Sequence, residues 1–169
     1  MPPIPQGSTA EYLSVRYSHP RWLVERLLEL LPAEEAEQFL QGDNDIVPTT
    51  IQTNLLKTDD ESLLQELRQA GVDIERHGWL PHCFTVSGTG SLERLPAFAE
   101  GRFMVQDAAA HLVTVVAGLK KGDRVQDVCA APGGKSFAAA IAMEGEGQIL
   151  SYDIHPHKLK LIDSGAKRL

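Results

Sequence analysis

The chain has 169 residues, 43% of them apolar and 23% charged, with a formal charge of −7. That length allows one domain or two small ones, and the composition is that of an ordinary globular protein rather than a disordered chain. The negative charge excludes a molecule whose whole surface binds polyphosphate, because such affinity is built from lysine and arginine neutralising phosphates. Two cysteines, Cys83 and Cys129, are too few for a disulfide scaffold, and there is no basic-then-apolar leader or long apolar run. A reducing cytoplasm is therefore the default, with no membrane partner.

Residues 1–10 are proline-rich at the start and patternless, and read as a tail or linker remnant. His19-Pro20 opens an amphipathic helix carrying Trp22, Leu23, Leu27, Leu28, Leu30 and Leu31, ended by Pro32. The leucine stripe is most simply core. Trp22 and Trp79, each among leucines and prolines, are expected as core or interface anchors rather than base-stacking platforms. An acidic helix follows from about Ala33 to Leu40 and runs into the breakers Gly42 to Asp45.

Thr49 to Leu56 predicts a strand. Asp59 or Asp60 then caps a helix carrying Leu63, Leu64 and Leu67 that stops at Gly71. Phe84 to Val86 is a short strand candidate and Ser87 to Gly90 a turn. Residues 11–100 are thus expected to form a small α+β domain.

From Gly101 the texture changes. Phe103 to Val105 reads as a strand and Asp107 as the cap of a helix ending at Gly118. Val125 to Val128 reads as a buried strand, Cys129 to Lys135 as a small-residue loop, and Gly134 to about Met143 as a helix. Ile149 to Ile154 reads as a second buried strand, with Pro156 opening a final helix. The fold class is α/β: residues 101–169 give the first half of a Rossmann-like, doubly wound parallel sheet. Parallel sheets normally bury both faces, so two or three such strands leave the sheet looking unfinished. Its open edge is a candidate for self-association.

The chemistry sits in Asp127-Val128-Cys129-Ala130-Ala131-Pro132-Gly133-Gly134-Lys135-Ser136, between a strand and a helix start. Small residues let backbone approach a ligand closely, and a helix N-terminus offers N–H groups and a positive dipole end to an anion. Asp153 lies at the end of the next parallel strand, where an acid accepts hydrogen bonds from ribose hydroxyls. Gly134-Lys135-Ser136 fits the end of a triphosphate-binding loop, but Cys129 stands where its leading glycine belongs. The glycine spacing of a nicotinamide or flavin loop is missing. At this level a methyl donor, a degenerate triphosphate binder and a plain tight turn all remain open. His77, His82 and Cys83, or His155 and His157, do not make the four well-spaced ligands of a structural zinc site, so no metal is expected.

These residues also carry a family resemblance. Asp127 to Ser136 resembles motif I of the Sun-type RNA cytosine-5 methyltransferases. Gly101-Arg102-Phe103-Met104-Val105-Gln106-Asp107-Ala108-Ala109-Ala110 resembles the segment before it, and Asp153 to Leu159 with Ala166 to Leu169 the segment after it. Tyr17-Ser18-His19-Pro20-Arg21-Trp22-Leu23 is similar to the entry into the small domain of the branch acting on bacterial small-subunit ribosomal RNA. The resemblance implies S-adenosyl-L-methionine as cofactor and 16S ribosomal RNA as substrate of the parent enzyme. Contacts would come from Cys129, Ala130, Ala131, Pro132, Gly133, Gly134 and Lys135, with Asp153 for the ribose.

In that family a cysteine thiolate adds to C6 of cytosine to activate C5, and a second cysteine helps release the product. Those cysteines lie in Pro-Cys and Thr-Cys motifs that this sequence does not contain. No catalytic residue is therefore expected here, and the chain alone is expected to be inactive. Cys129 belongs to the cofactor loop, and Cys83 and His82, being adjacent on a strand, point to opposite faces. Asp127 and Lys158 are weaker contacts, otherwise a turn acceptor and a solvated lysine. Gln52-Thr53-Asn54 stands where the family shows Arg-x-Asn, which removes a phosphate contact. The competing readings are a non-catalytic RNA- or partner-binding fragment and a degenerate P-loop nucleotide binder.

Overall fold

The computed structural model describes residues 9–45, 48–88 and 90–169. The expected tail lies outside the described residues except at Thr9 and Ala10, which are already helical. The chain divides into two compact units, Met1–Val47 and Pro48–Leu169.

The described residues of the first unit form the helices α1 (Thr9–Tyr17), α2 (Arg21–Leu30) and α3 (Ala33–Gly42). Pro20 and Pro32 sit immediately before α2 and α3, where a missing N–H costs no helical hydrogen bond. Ala10, Leu13, Val24 and Leu40 form the core, with Leu27 and Leu28 packed beside it. Leu30 and Trp22 stay outside it, at 63% and 68% exposed. The expected leucine stripe is therefore core only along the face that carries Val24.

The second unit begins with β1 (Thr49–Thr53) and α4 (Asp60–Gln69), continues through β2 (Asp73–Arg76), β3 (Cys83–Ser87), α5 (Pro96–Ala99) and β4 (Phe103–Val105), and then enters α6 (Ala108–Ala117). β1 to β4 make one antiparallel sheet in the order β2-β3-β1-β4. One face of it buries Ile51, Ile74, Phe84, Val86 and Phe103 against Leu63 and Leu67 of α4 and Ala97 of α5. The Asp59 carboxylate accepts from the N–H groups of Glu61 and Ser62, which caps α4 as expected.

Phe103–Val105 was expected to open the parallel-sheet domain, yet it pairs antiparallel with β1, Gln52 opposite Met104. The fully buried Phe103 ring meets Phe98 edge-on at 5.6 Å, which holds the strand on this core. The chain then leaves through α6, capped by Asp107 and closed by Gly118 at φ 59°.

β5 (Arg124–Asp127), α7 (Gly134–Ala142), β6 (Gln148–Ser151) and α8 (Leu159–Arg168) complete the chain. β5 and β6 pair in parallel, Arg124 opposite Gln148 and Asp127 opposite Ser151, across the helix α7. The expectation of buried strands fails here: no residue of either is fully buried, and Val128 and Ile154 are 68% and 88% exposed. Two parallel strands cannot shield each other on both edges and faces, so their apolar side chains remain in contact with solvent.

The end of α8 is fastened to the antiparallel sheet by polar groups. The Asn54 amide, fully buried, donates to the carbonyls of Gly101 (2.8 Å) and Leu169 (2.9 Å). The Arg168 guanidinium donates to the carbonyls of Phe98 and Phe103, and Lys57 donates to those of Glu100 and Arg168. Gly101 is at φ 72°, and a Cβ there would lie 2.1 Å from the Arg168 carbonyl oxygen, so only glycine fits.

Candidate functional site

The site grows from the end of the parallel pair. Beyond β5 and β6 the ladder continues into the loop: Tyr152 N–H donates to Asp127 O, and Ala130 N–H donates to Tyr152 O, both at 2.8 Å. The buried Ser136 hydroxyl donates to the Asp127 carboxylate at 2.8 Å and lies at the same distance from the Ser151 hydroxyl. One serine of α7 thus ties the ends of both strands to the first turn of the helix. Asp127 serves this scaffold as an acceptor.

The Asp153 carboxylate lies against the loop, its Oδ2 accepting from Ala131 N–H (3.2 Å) and its Oδ1 from His155 N–H (2.9 Å). The His155 N–H chiefly, with help from that of Ala131 and the charge of Lys158, holds the carboxyl below the usual carboxylate range. An ionised carboxylate has about four acceptor positions, two of which are used, so two remain for hydroxyl donors. The eight expected site residues therefore converge: residues 129–133 form the loop, Gly134 and Lys135 open α7, and Asp153 is bonded to the middle of the loop.

α7 is preceded by Gly133, φ 116°, and has no side-chain cap. Its first N–H groups thus face the loop with the positive end of the helix dipole behind them. The glycines have a packing reason that the sequence did not disclose. A Cβ at Gly133 would lie 2.3 Å from the Phe137 ring, and one at Gly165 of α8 would lie 2.5 Å from the same ring. Phe137 is therefore held between two glycines, which brings α8 close to α7. Approach to the loop is left to its N–H side, with Cys129, Pro132 and Lys135 exposed and Ala130 buried.

A cavity of about 320 Å³ flanks the loop at Val128, Cys129 and Lys135, walled by α6. A second, of about 570 Å³, flanks it at Pro132 and Gly134, between Met104 and Arg168. The donor set is a helix start, backbone N–H groups and one carboxylate, which fits a ligand with an anionic end and a sugar. It does not fit a metal, and among the described residues no group of three or more His, Cys, Asp or Glu could hold one.

The two cysteines differ in setting: Cys129 is exposed at the start of the loop and Cys83 is buried in the sheet. Cys83 is 2% exposed, and burial pushes its thiol up. His82 bonds instead to Asp60, Nδ1 to Oδ2 at 3.0 Å. Trp79 is 68% exposed with His77 edge-on at 5.3 Å, so it is no core anchor. Gln52, where the family shows arginine, is 4% exposed and lies on the face of β1 opposite Ile51. Gln106, which the sequence did not single out, packs its amide 3.6 Å from the Cβ position of Gly134. No helix among the described residues is long and apolar enough to cross a membrane.

An antiparallel sheet with its helices, followed by a parallel strand-loop-helix-strand unit with an acid at the second strand's end, is the architecture of a methyltransferase preceded by a ferredoxin-like domain. The matches to known families agree. Residues 19–93 match the family model "Methyltr_RsmF/B-like, ferredoxin-like domain", and residues 114–169 match "16S rRNA methyltransferase RsmB/F". The chain belongs to the Sun-type RNA cytosine-5 methyltransferase family.

The probable ribosomal RNA small subunit methyltransferase B of Bacillus subtilis is 33% identical over 93% of this chain and 35% of its own length. The 28S rRNA (cytosine-C(5))-methyltransferase of Mus musculus is 32% identical over 96% of this chain and 22% of its own. The chain thus spans about a third or less of the curated relatives it matches. Among solved structures, PH0851 superposes with a TM-score of 0.88 at 31% identity, over 99% of this chain and 38% of its own. NSun6 from Pyrococcus horikoshii, solved with SFG, superposes with a TM-score of 0.80 at 20% identity, over 89% of this chain and 62% of its own, which shows the fold alone.

Proposed function

We propose that this chain supplies the small domain and the cofactor half-site of a cytosine-5 methyltransferase acting on small-subunit ribosomal RNA in the cytoplasm. S-adenosyl-L-methionine would be held by residues 129–135 and Asp153. The observation that carries this reading is the Asp153 carboxylate, bonded to Ala131 N–H beside the uncapped start of α7. It supports reading the two sides of one loop as a sugar acceptor and an anion site. The bound donor supplies an electrophilic methyl group.

The residues of this chain do the rest by positioning. Ser136 fixes the strand ends, Phe137 between Gly133 and Gly165 fixes the helix, and Asp153 is kept ionised to receive hydroxyl donors. The thiols take no part, since Cys83 is buried and Cys129 belongs to the loop. The chain by itself therefore binds donor without turnover.

Calorimetric titration of the whole chain with S-adenosylhomocysteine tests this. One binding event is expected, lost in Asp153→Ala. No heat with that ligand, together with magnesium-dependent binding of ATP, would overturn it in favour of a degenerate triphosphate-binding loop.

A further inference from the structure

Gln106 follows β4 and is 6% exposed, and neither atom of its side-chain amide has a hydrogen-bond partner among the described residues. Its backbone is fixed on both sides: its N–H donates to Thr50 O at 3.2 Å, and its carbonyl accepts from the Thr50 hydroxyl at 2.6 Å. The backbone that carries the side chain is therefore held in place. The side chain lies against the first turn of α7, its Nε2 3.6 Å from the Cβ position of Gly134. Met104 borders that position as well, and Met104, Pro132 and Gly134 share the cavity of about 570 Å³.

A buried amide left unpaired is costly and is rarely retained without a partner. An amide also presents both an acceptor and two donors. That combination suits a group that is itself both cationic and anionic, next to a helix start that favours the anionic part.

We propose that Gln106 holds the α-amino-acid end of the methyl donor, its amide facing the ammonium and carboxylate of that group beside the first turn of α7. This rests on the cofactor reading given above. Asp153 and Gln106 then grip opposite ends of one ligand, the sugar and the amino acid, with residues 129–135 between them.

The test titrates two ligands into the whole chain: S-adenosylhomocysteine, and 5′-methylthioadenosine, which keeps the nucleoside and lacks the amino-acid end. The unaltered chain should bind the first more tightly. Gln106→Met should weaken S-adenosylhomocysteine by about tenfold or more, the range for a hydrogen bond to a charged group, and leave 5′-methylthioadenosine unchanged. Gln106→Glu, which puts a negative charge beside the carboxylate, should weaken it at least as far. Equal loss of both ligands would make Gln106 a purely structural residue and overturn the proposal, as would no loss of either. Should the variants fail to fold, the unaltered chain still decides: equal affinity for the two ligands overturns the proposal alone, and binding of neither overturns the cofactor reading itself.

Discussion

The antiparallel sheet and the parallel pair obey different rules of burial. β1, β3 and β4 contribute Ile51, Phe84 and Phe103 to a core from which water is wholly excluded, whereas β5 and β6 contain no fully buried residue. The first region is held by packing. The second is held by hydrogen bonds at the strand ends, above all those of Ser136 with Asp127 and Ser151. The lesson is that the candidate site is built on the less buried region, with its geometry set by polar groups, while the neighbouring sheet supplies the packed core.

Truncating the packed region should produce the largest effect. Phe103→Ala is expected to cost about 3–5 kcal/mol, the range for a fully buried aromatic, and to lower the urea midpoint accordingly. Asn54→Ala leaves the carbonyls of Gly101 and Leu169 without their donor and should cost about 2–3 kcal/mol in the same measurement. If these two variants proved neutral, the idea that packing and a buried amide hold this region would be wrong.

Ile149→Ala in β6 should cost no more than about 1 kcal/mol, because a half-exposed side chain has less apolar surface to lose. An effect as large as that of Phe103→Ala would show that the parallel pair is buried in solution and would erase the contrast.

The smallest effect is expected at Asp153, and it depends on pH. Its carboxyl is held below the ordinary range, chiefly by the His155 N–H, so the folded state keeps it ionised where the unfolded chain already takes up a proton. Its stabilising contribution is present above the unfolded pKa and is lost as pH falls through the folded one. The stability difference between the unaltered chain and Asp153→Asn should therefore be present at neutral pH and vanish in acid, as read from unfolding midpoints across pH. A difference that grew in acid would reverse the assigned cause.

Local sequence signals made much of this legible. Asp59 and Asp107 were readable as helix caps, because a short acidic side chain before an apolar periodic run has few other uses. The motif around Pro132-Gly133-Gly134 and the acid one strand later were readable because loop, helix start and strand end follow in chain order. β2 was missed: its only buried residue is Ile74, so Asp73–Arg76 carries no run of alternating apolar residues. Of the two readings of Trp22 and Trp79, core or interface anchor, the structure removes the core one, since leucine and proline neighbours in sequence do not say which side of an element faces water.

By itself the sequence determined most of the longer elements, the caps of two helices and the chemical character of the loop, all of which depend on residues a few positions apart. Only the tertiary structure decided what depends on distant residues. β4 belongs to the antiparallel sheet because Phe103 fits its core. Gly101 and Gly165 must be glycines because the Arg168 carbonyl and the Phe137 ring occupy the space a side chain would need. Gln106 was unremarkable as a letter in the chain, and gains meaning only where folding buries its amide against the first turn of α7.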